Sequence, residues 1–286
     1  MHLFVDKLTN VDFSYLHPER GLVGETWLAS IVLEGALDEQ GMVCDFGIVK
    51  KTLRKWLDET IDHCLVVPKQ SPALECNEVE NQIELDWSYK RQETTDNLQC
   101  LSPAEAITLI DSDVISPESV AQWCIKQLRT LLPDTIDKIQ LTFEPEVITS
   151  HYYHYSHGLK KHQGNCQRIA HGHRSTIEIY RDNHRDSHLE QQWCEQWADI
   201  YIGSKEDLTK VSRIKNVEYY TFTYTAQQGD FQLTLPANHC YLIDTDSTVE
   251  FIAEHIVQAL KITQPESNYK VRAFEGIGKG AIAFTE

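Results

Sequence analysis

Histidines crowd residues 151–188 of this sequence, and three of them have a spacing that could do chemistry. His171-Gly172-His173 leads into a strand-like run, residues 175–180. Side chains two apart on a strand project the same way, so both imidazoles can meet one metal ion. His157 lies upstream in a second strand-like run, HYYHYSH. Three neutral imidazoles with a fourth position open make a catalytic zinc arrangement, whose work is to polarise a substrate oxygen. His154 and His162 are alternatives to His157, and histidines satisfied by hydrogen bonds at a core edge need no metal. Cys166 lies between these groups. Beside a metal and cations its thiol would ionise near neutral pH; elsewhere it is a buried filler. Lys160, Lys161 and Arg168 form a local positive run, either a solvated loop or an anion-binding rim focused on the metal.

These groups need elements to hold them. Residues 26–34, TWLASIVLE, read as a strand ended by Gly35. Phe46, Val49, Leu53, Trp56 and Leu57 recur at helical spacing after Asp45, a cap residue, and predict a helix over 46–60. Residues 68–100 are polar and irregular, with one strand at 82–89. Ser116-Pro117 starts a helix that Pro133 stops, and a strand follows over 138–143. In the second half, 189–202 reads as a helix, 217–225 and 230–235 as a strand pair, and 248–260 as a helix before a strand from Tyr269. An offset of 132 residues superimposes the two helix–strand units. Glu118 then falls on Glu250, Ala121 on Ala253, Leu128 on Leu260 and Ile139 on Val271. That implies a duplication with halves 1–146 and 147–286. Strands with a few long helices and no βαβ rhythm favour an α+β protein with antiparallel sheets.

Composition narrows the classes. The chain has 286 residues, 43 acidic and 26 basic side chains, and a net charge of −17. That balance disfavours a nucleic-acid partner, which needs a concentrated basic face. No apolar run reaches the length of a membrane span, and the N-terminus lacks a secretory pattern, so a cytoplasmic location is expected. Eight scattered cysteines without a CxxC pair read as free thiols. If the ligand is an anion, the scarce cations have to be gathered at its site.

Several of these motifs together resemble the 6-pyruvoyl-tetrahydropterin synthase / 6-carboxytetrahydropterin synthase family. SHGL (156–159) and CQRIAHGH (166–173) resemble its first zinc histidine, its catalytic cysteine and its HGH zinc pair. NHCYL (238–242) is similar to its Asp-His-x-x-Leu motif, and FEGIGKGA (274–281) to the late strand whose glutamate holds the pterin, here Glu275. GMVCDFGIVKK (41–51) and LDETIDHCL (57–65) resemble the family's helix start and its Asp-His pair. VGETW (23–27) stands where the first half would carry HGH, and Phe143, or Glu144 with a gap, where it would carry the pterin glutamate. Residues 66–115 and 181–235 fall outside the likeness.

The resemblance implies a duplicated tunnelling fold, each half a four-stranded antiparallel sheet with helices on one face. It implies Zn2+ on His157, His171 and His173, Cys166 and an imidazole as proton carriers, and a pterin contact from Glu275; Lys160, Lys161 and Arg168 are the further substrate-binding candidates that the local charge offers. The complementary losses predict a division of labour. The second half supplies zinc, Cys166 and Glu275; the first supplies Asp62-His63 from a neighbouring chain. The alternative makes His239 the working imidazole. The implied activity is a lyase, 6-carboxy-5,6,7,8-tetrahydropterin synthase of the queuosine precursor route. It acts on 7,8-dihydroneopterin triphosphate and releases acetaldehyde and triphosphate. A 6-pyruvoyl product, a related pterin aldolase, or a non-catalytic zinc protein are the alternatives. The expected assembly is a homo-oligomer, a trimer before a dimer, with a small-molecule pterin as its other partner.

Overall fold

A computed structural model describes residues 1–91 and 94–285. The first half begins with a long hairpin, β1 (His2–His17) and β2 (Gly21–Gly35). Helix α1 (Phe46–Thr60) follows, its first turn capped by the Asp45 carboxylate, which accepts from Gly47 N and Ile48 N. The chain continues through β3 (Leu65–Pro68), a meander of β4 (Leu74–Val79), β5 (Gln82–Arg91) and β6 (Thr94–Pro103), and β7 (Ile107–Ile110). Helix α2 (Pro117–Leu128) starts on a Ser116–Ser119 capping box, and β8 (Ile136–Pro145) ends the half.

The second half repeats this order. Strands β9 (Tyr152–His157) and β10 (His171–Arg181) form its hairpin, with the short β11 (His184–Arg185) beside β10. Then come α3 (Ser187–Gln196), β12 (Ile200–Ser204), a meander of β13 (Leu208–Ile214), β14 (Val217–Ala226) and β15 (Gly229–Pro236), and β16 (Cys240–Ile243). Helix α4 (Val249–Thr263), capped by Thr248, precedes β17 (Tyr269–Phe274) and β18 (Gly280–Phe284). The fold is a duplicated α+β unit. The helix expected over 189–202 stops early because Asp199 takes a left-handed backbone, φ 57°, and IYIGS continues as β12.

Three sheets result, in the orders β7-β3-β1-β2-β8, β16-β12-β9-β10-β17-β18, and β13-β14-β15-β6-β5-β4. The first two are wider than four strands and mixed. β3 returns from α1 parallel to β1, as β12 does beside β9. Helices α1 and α2 bury Val49, Leu53, Leu57, Val120, Cys124 and Leu128 against the first sheet; α3 and α4 do the same with Trp193, Ile252, Ile256 and Leu260 on the second. Each such large apolar side chain contributes roughly 1.5–3 kcal/mol on burial. The third sheet joins the two meanders, the stretches outside the family likeness, through β15 and β6. Its core includes Trp87, Phe222, Phe231 and Leu233.

The two hairpins cross each other. Ser14 pairs with Gly24 and Ser156 with Gly172, and the two serine hydroxyls meet at 2.7 Å. A Cβ on Gly24 would stand 1.8 Å from the Tyr155 carbonyl oxygen, and one on Gly172 would stand 2.7 Å from Gly24 Cα. Only glycine lets the backbones approach so closely. This crossing fixes the correspondence between the halves. The 132-residue offset holds for the helices but not for the last strands. Phe143 pairs with Ala29 where Ala273 pairs with Ile177, so the strands correspond at 130. Pro145, rather than Phe143 or Glu144, therefore stands in the place of Glu275.

Candidate metal and catalytic site

His157 and His171 face each other across the β9–β10 ladder, and His173 is the next residue on the same face of β10. All three side chains are fully buried, and their ligand atoms lie within 4.8 Å of one another. His157 Nδ1 donates to the Ser247 carbonyl at 2.9 Å, and His171 Nδ1 to the Arg168 carbonyl at 2.8 Å. His173 Nδ1 lies 3.3 Å from Asp12 Oδ1. With each Nδ1 turned outward, the three Nε2 atoms converge. His157 Nε2 and His173 Nε2 are 3.2 Å apart, and His171 Nε2 is buried with no hydrogen-bond partner. Two nitrogens on one tetrahedral zinc would sit about 3.3 Å apart. Burial first, and then the neighbouring imidazoles, push His157 and His171 well below the ordinary histidine range, which favours the neutral form a metal ligand needs. The donor set and its outward anchors fit a divalent metal.

Asp62-His63, from the first half, stands beside this centre in the same chain. The His63 ring is 5.0 Å from that of His171 and 6.2 Å from that of His173. The expected supply from a neighbouring chain is thus unnecessary. His63 sits at the turn between α1 and β3 with φ 55°, and its Nδ1 donates to Asp62 Oδ2 at 2.5 Å. Burial alone would lower its pKa. Hydrogen bonds and charge from Asp62 and Cys166 outweigh that and raise it well above the ordinary range. Cys166, partly buried, shares with His63 and His171 a second cluster of ligand atoms within 4.8 Å. Its loop is pinned by buried Gln167, whose Oε1 accepts from Gln228 N at 2.6 Å, and by Gln228 Nε2 donating to Asn165 Oδ1 at 3.0 Å. Gln228 lies between β14 and β15, so the meander positions the cysteine.

Glu275 reaches the same place from the end of β17. Its Oε1 is 3.8 Å from His173 Nε2, and its Oε2 is 3.8 Å from Lys279 Nζ. The remaining sequence candidates lie elsewhere. Lys160 is held by Asp207 and Glu206, and exposed Lys161 by Asp246. Buried Arg168 donates to Gln228 Oε1 at 3.1 Å and to Cys64 Sγ at 2.9 Å. The positive run is therefore paired with groups of the protein itself, Arg168 in the interior and Lys161 at the surface. Lys279, half exposed beside Glu275, is the cation that the site presents. His239 ends the turn before β16, in contact with Arg91 and Tyr89. That turn corresponds to Ala104–Ala106 before β7, not to the α1–β3 turn. The residue that matches His63 is Asp199, also left-handed, at the α3–β12 turn. Gln167 and Lys279 stand inside CQRIAHGH and FEGIGKGA but were given no role there, and Asp12 and Gln228 had no local motif to reveal them.

The corresponding place in the first half carries no such trio of histidines. Tyr15, Val23 and Glu25 occupy the positions of His157, His171 and His173. Asp199 there forms an ion pair with Arg20 instead of serving a relay. Burial pushes the Glu25 carboxyl up to about 7 and His154, 3.9 Å away, down to about 4.

The fold and its histidine centre define a duplicated α+β protein with one candidate metal site. The sequence model of 6-pyruvoyl tetrahydropterin synthase matches residues 9–150, the half that carries Asp62-His63. A 6-carboxy-5,6,7,8-tetrahydropterin synthase from Rickettsia felis is 50% identical over 30 residues, which is 10% of this chain and 22% of that protein. The match thus spans about a fifth of that relative. Among solved structures, 6-pyruvoyltetrahydropterin synthase from Plasmodium vivax gives a TM-score of 0.41 at 20% identity, covering 51% of this chain and 91% of that one. The Plasmodium falciparum protein gives 0.37 at 18%, covering 51% and 98%. The chain belongs to the 6-pyruvoyl tetrahydropterin synthase family. No helix among the described residues is long and apolar enough to cross a membrane.

Proposed function

We propose that this chain is a zinc-dependent pterin synthase, forming 6-carboxy-5,6,7,8-tetrahydropterin from 7,8-dihydroneopterin triphosphate with release of acetaldehyde and triphosphate. The observation that carries the reading is the meeting of three inward Nε2 atoms with Cys166, the Asp62-His63 pair and Glu275 in one place. A bound zinc ion would supply Lewis-acid polarisation of the side-chain oxygens. Cys166 and His63 carry protons to and from the substrate side chain, and Asp62 fixes the His63 tautomer with Nε2 toward Cys166. Glu275 accepts two hydrogen bonds from the pterin ring, the planar contact a carboxylate makes well. Lys279 places one positive charge beside that anchor.

The three histidines are buried while Cys166 and Glu275 are partly exposed, so a substrate would approach from the Cys166–Glu275 side. The 6-pyruvoyl product uses the same groups and differs in which bonds break. We further propose that the protein assembles as a homo-oligomer, to be read from its mass in solution. The deciding experiment is incubation of zinc-loaded protein with 7,8-dihydroneopterin triphosphate, followed by product mass and an acetaldehyde assay. A 6-carboxy product with acetaldehyde supports the reading; a 6-pyruvoyl product without acetaldehyde moves the chain to the sister activity. Zinc at one per chain with no pterin binding would make it a non-catalytic metal protein.

A further inference from the structure

We propose that Asp12, on the first strand of the zinc-less half, is a positioning residue of the metal centre: it holds His173 in the tautomer that turns Nε2 inward. This rests on the reading that the three histidines hold a metal ion. Asp12 is 1% exposed. Its Oδ1 accepts from Thr26 Oγ1 at 2.6 Å and lies 3.3 Å from His173 Nδ1. Its Oδ2 accepts from Asn10 Nδ2 at 3.1 Å and lies 3.4 Å from Lys279 Nζ. His157 and His171 each give their Nδ1–H to a backbone carbonyl. Among the described residues His173 Nδ1 is buried and makes no hydrogen bond, and the Asp12 carboxylate oxygen 3.3 Å away is the anionic acceptor that stands beside it. An anionic acceptor on the outer nitrogen fixes ring orientation and raises the basicity of the inner one.

The main chain of the same residue holds the proton relay. Asp12 N donates to Asp62 Oδ1 at 2.7 Å, and the Asp12 carbonyl accepts from His63 N at 2.6 Å. One first-half residue thus sets a metal ligand with its side chain and the Asp62-His63 pair with its backbone. The turn that carries Glu275 closes directly over it. Gly276 has φ 70°, and a Cβ there would stand 2.4 Å from Asp12 Oδ1. The competing role for Asp12 is a buried counter-ion for Lys279 alone.

The experiment uses the full chain and Zn2+, titrated in competition with a chromophoric chelator. Asp12→Asn should weaken zinc affinity about 10–100-fold, and Asp12→Glu should recover part of the loss. Lys279→Met removes the ion pair but keeps the carboxylate on His173, and should leave affinity within about threefold of the parent. Wild-type affinity in Asp12→Asn overturns the proposal, as does a Lys279→Met loss equal to that of Asp12→Asn. Should Asp12→Asn fail to fold, nitrogen NMR of the metal-free parent decides. His173 protonated on Nδ1 is expected; protonation on Nε2 overturns the assignment. Neither readout uses a pterin, so absence of synthase activity leaves this test standing.

Discussion

Replacing Gly24 with alanine tests whether the hairpin crossing holds the metal strand in place. The new Cβ would meet Tyr155 O at 1.8 Å, Tyr155 C at 2.6 Å and His173 N at 2.7 Å. Ordinary contact begins near 3.4 Å, so the facing strand has to withdraw by about 1.6 Å. The obstructing atoms are backbone, which cannot rotate aside as a side chain would. Overpacking of this kind costs about 1–3 kcal/mol, and rigid neighbours put Gly24→Ala at or above the upper end. For a chain of this size, taking 2–4 °C per kcal/mol, the midpoint of thermal unfolding should fall by about 6–12 °C. Because His173 N is one of the three contacts, zinc affinity should fall as well, although no ligand has been removed. Gly47→Ala in the first turn of α1 is the control. Its Cβ would meet only Asp45 Oδ1, at 3.4 Å, and the change should be neutral or stabilising by up to about 1 kcal/mol. Denaturant and thermal melts with a zinc titration measure both variants. A Gly24→Ala protein within 1 kcal/mol of the parent, with unchanged zinc affinity, would refute the reasoning.

Cys166→Ala should abolish turnover and leave metal bound, whereas His171→Ala should lose both; elemental analysis beside the activity assay separates them, and zinc loss in Cys166→Ala would make the sulfur a ligand. His63→Ala should reduce turnover by at least about 100-fold, the order expected for a general acid–base group, while His239→Ala should act only through stability, which steady-state kinetics after a folding check will show. Glu25 gives a pH signature. Its carboxyl is held at about 7 in the fold against an ordinary 4.5, so the folded state binds the extra proton between those values. Its contribution to stability is full below pH 4.5 and is lost as pH rises through about 7, a span of roughly 3 kcal/mol. Glu25→Gln should flatten that part of the stability–pH curve and stabilise the protein at pH 8, measured by urea unfolding; an unchanged curve would show that Glu25 ionises normally.

The helices could be read from the sequence because their signals are local. Asp45 and Ser116 cap the helices they were expected to cap, Thr248 caps the helix it was expected to begin, and the apolar faces follow at helical spacing. The HGH pair was legible for the same reason, since alternation on a strand brings two side chains together without help from the rest of the chain. The meanders were harder. Residues 74–79 carry Glu75, Asn77 and Glu78 on an exposed strand whose pairing depends on β5. Their joining across β15 and β6 depends on contacts more than a hundred residues apart, which no window of sequence contains. His239 shared letters with the Asp-His motif but not its place. The place is marked by a left-handed turn, which Asp199 keeps while changing the side chain. Asp12 was illegible because a single aspartate in a strand is ordinary; its neighbour His173 lies 161 residues away.

The crossing of the hairpins has one more consequence. Asp12 and His154 occupy corresponding positions, as do Glu25 and His173, so the chain places Asp12 against His173 and Glu25 against His154. Two copies of the first half, joined the same way, would press Asp12 against Glu25; two copies of the second would press His154 against His173. Each matched arrangement would bury like groups without a complementary partner, a penalty that the mixed arrangement avoids. The duplicated units have thus become complementary pieces rather than interchangeable ones. Removing the half without the histidine trio would take the Asp12 carboxylate away from His173 and the Asp62-His63 pair away from the site.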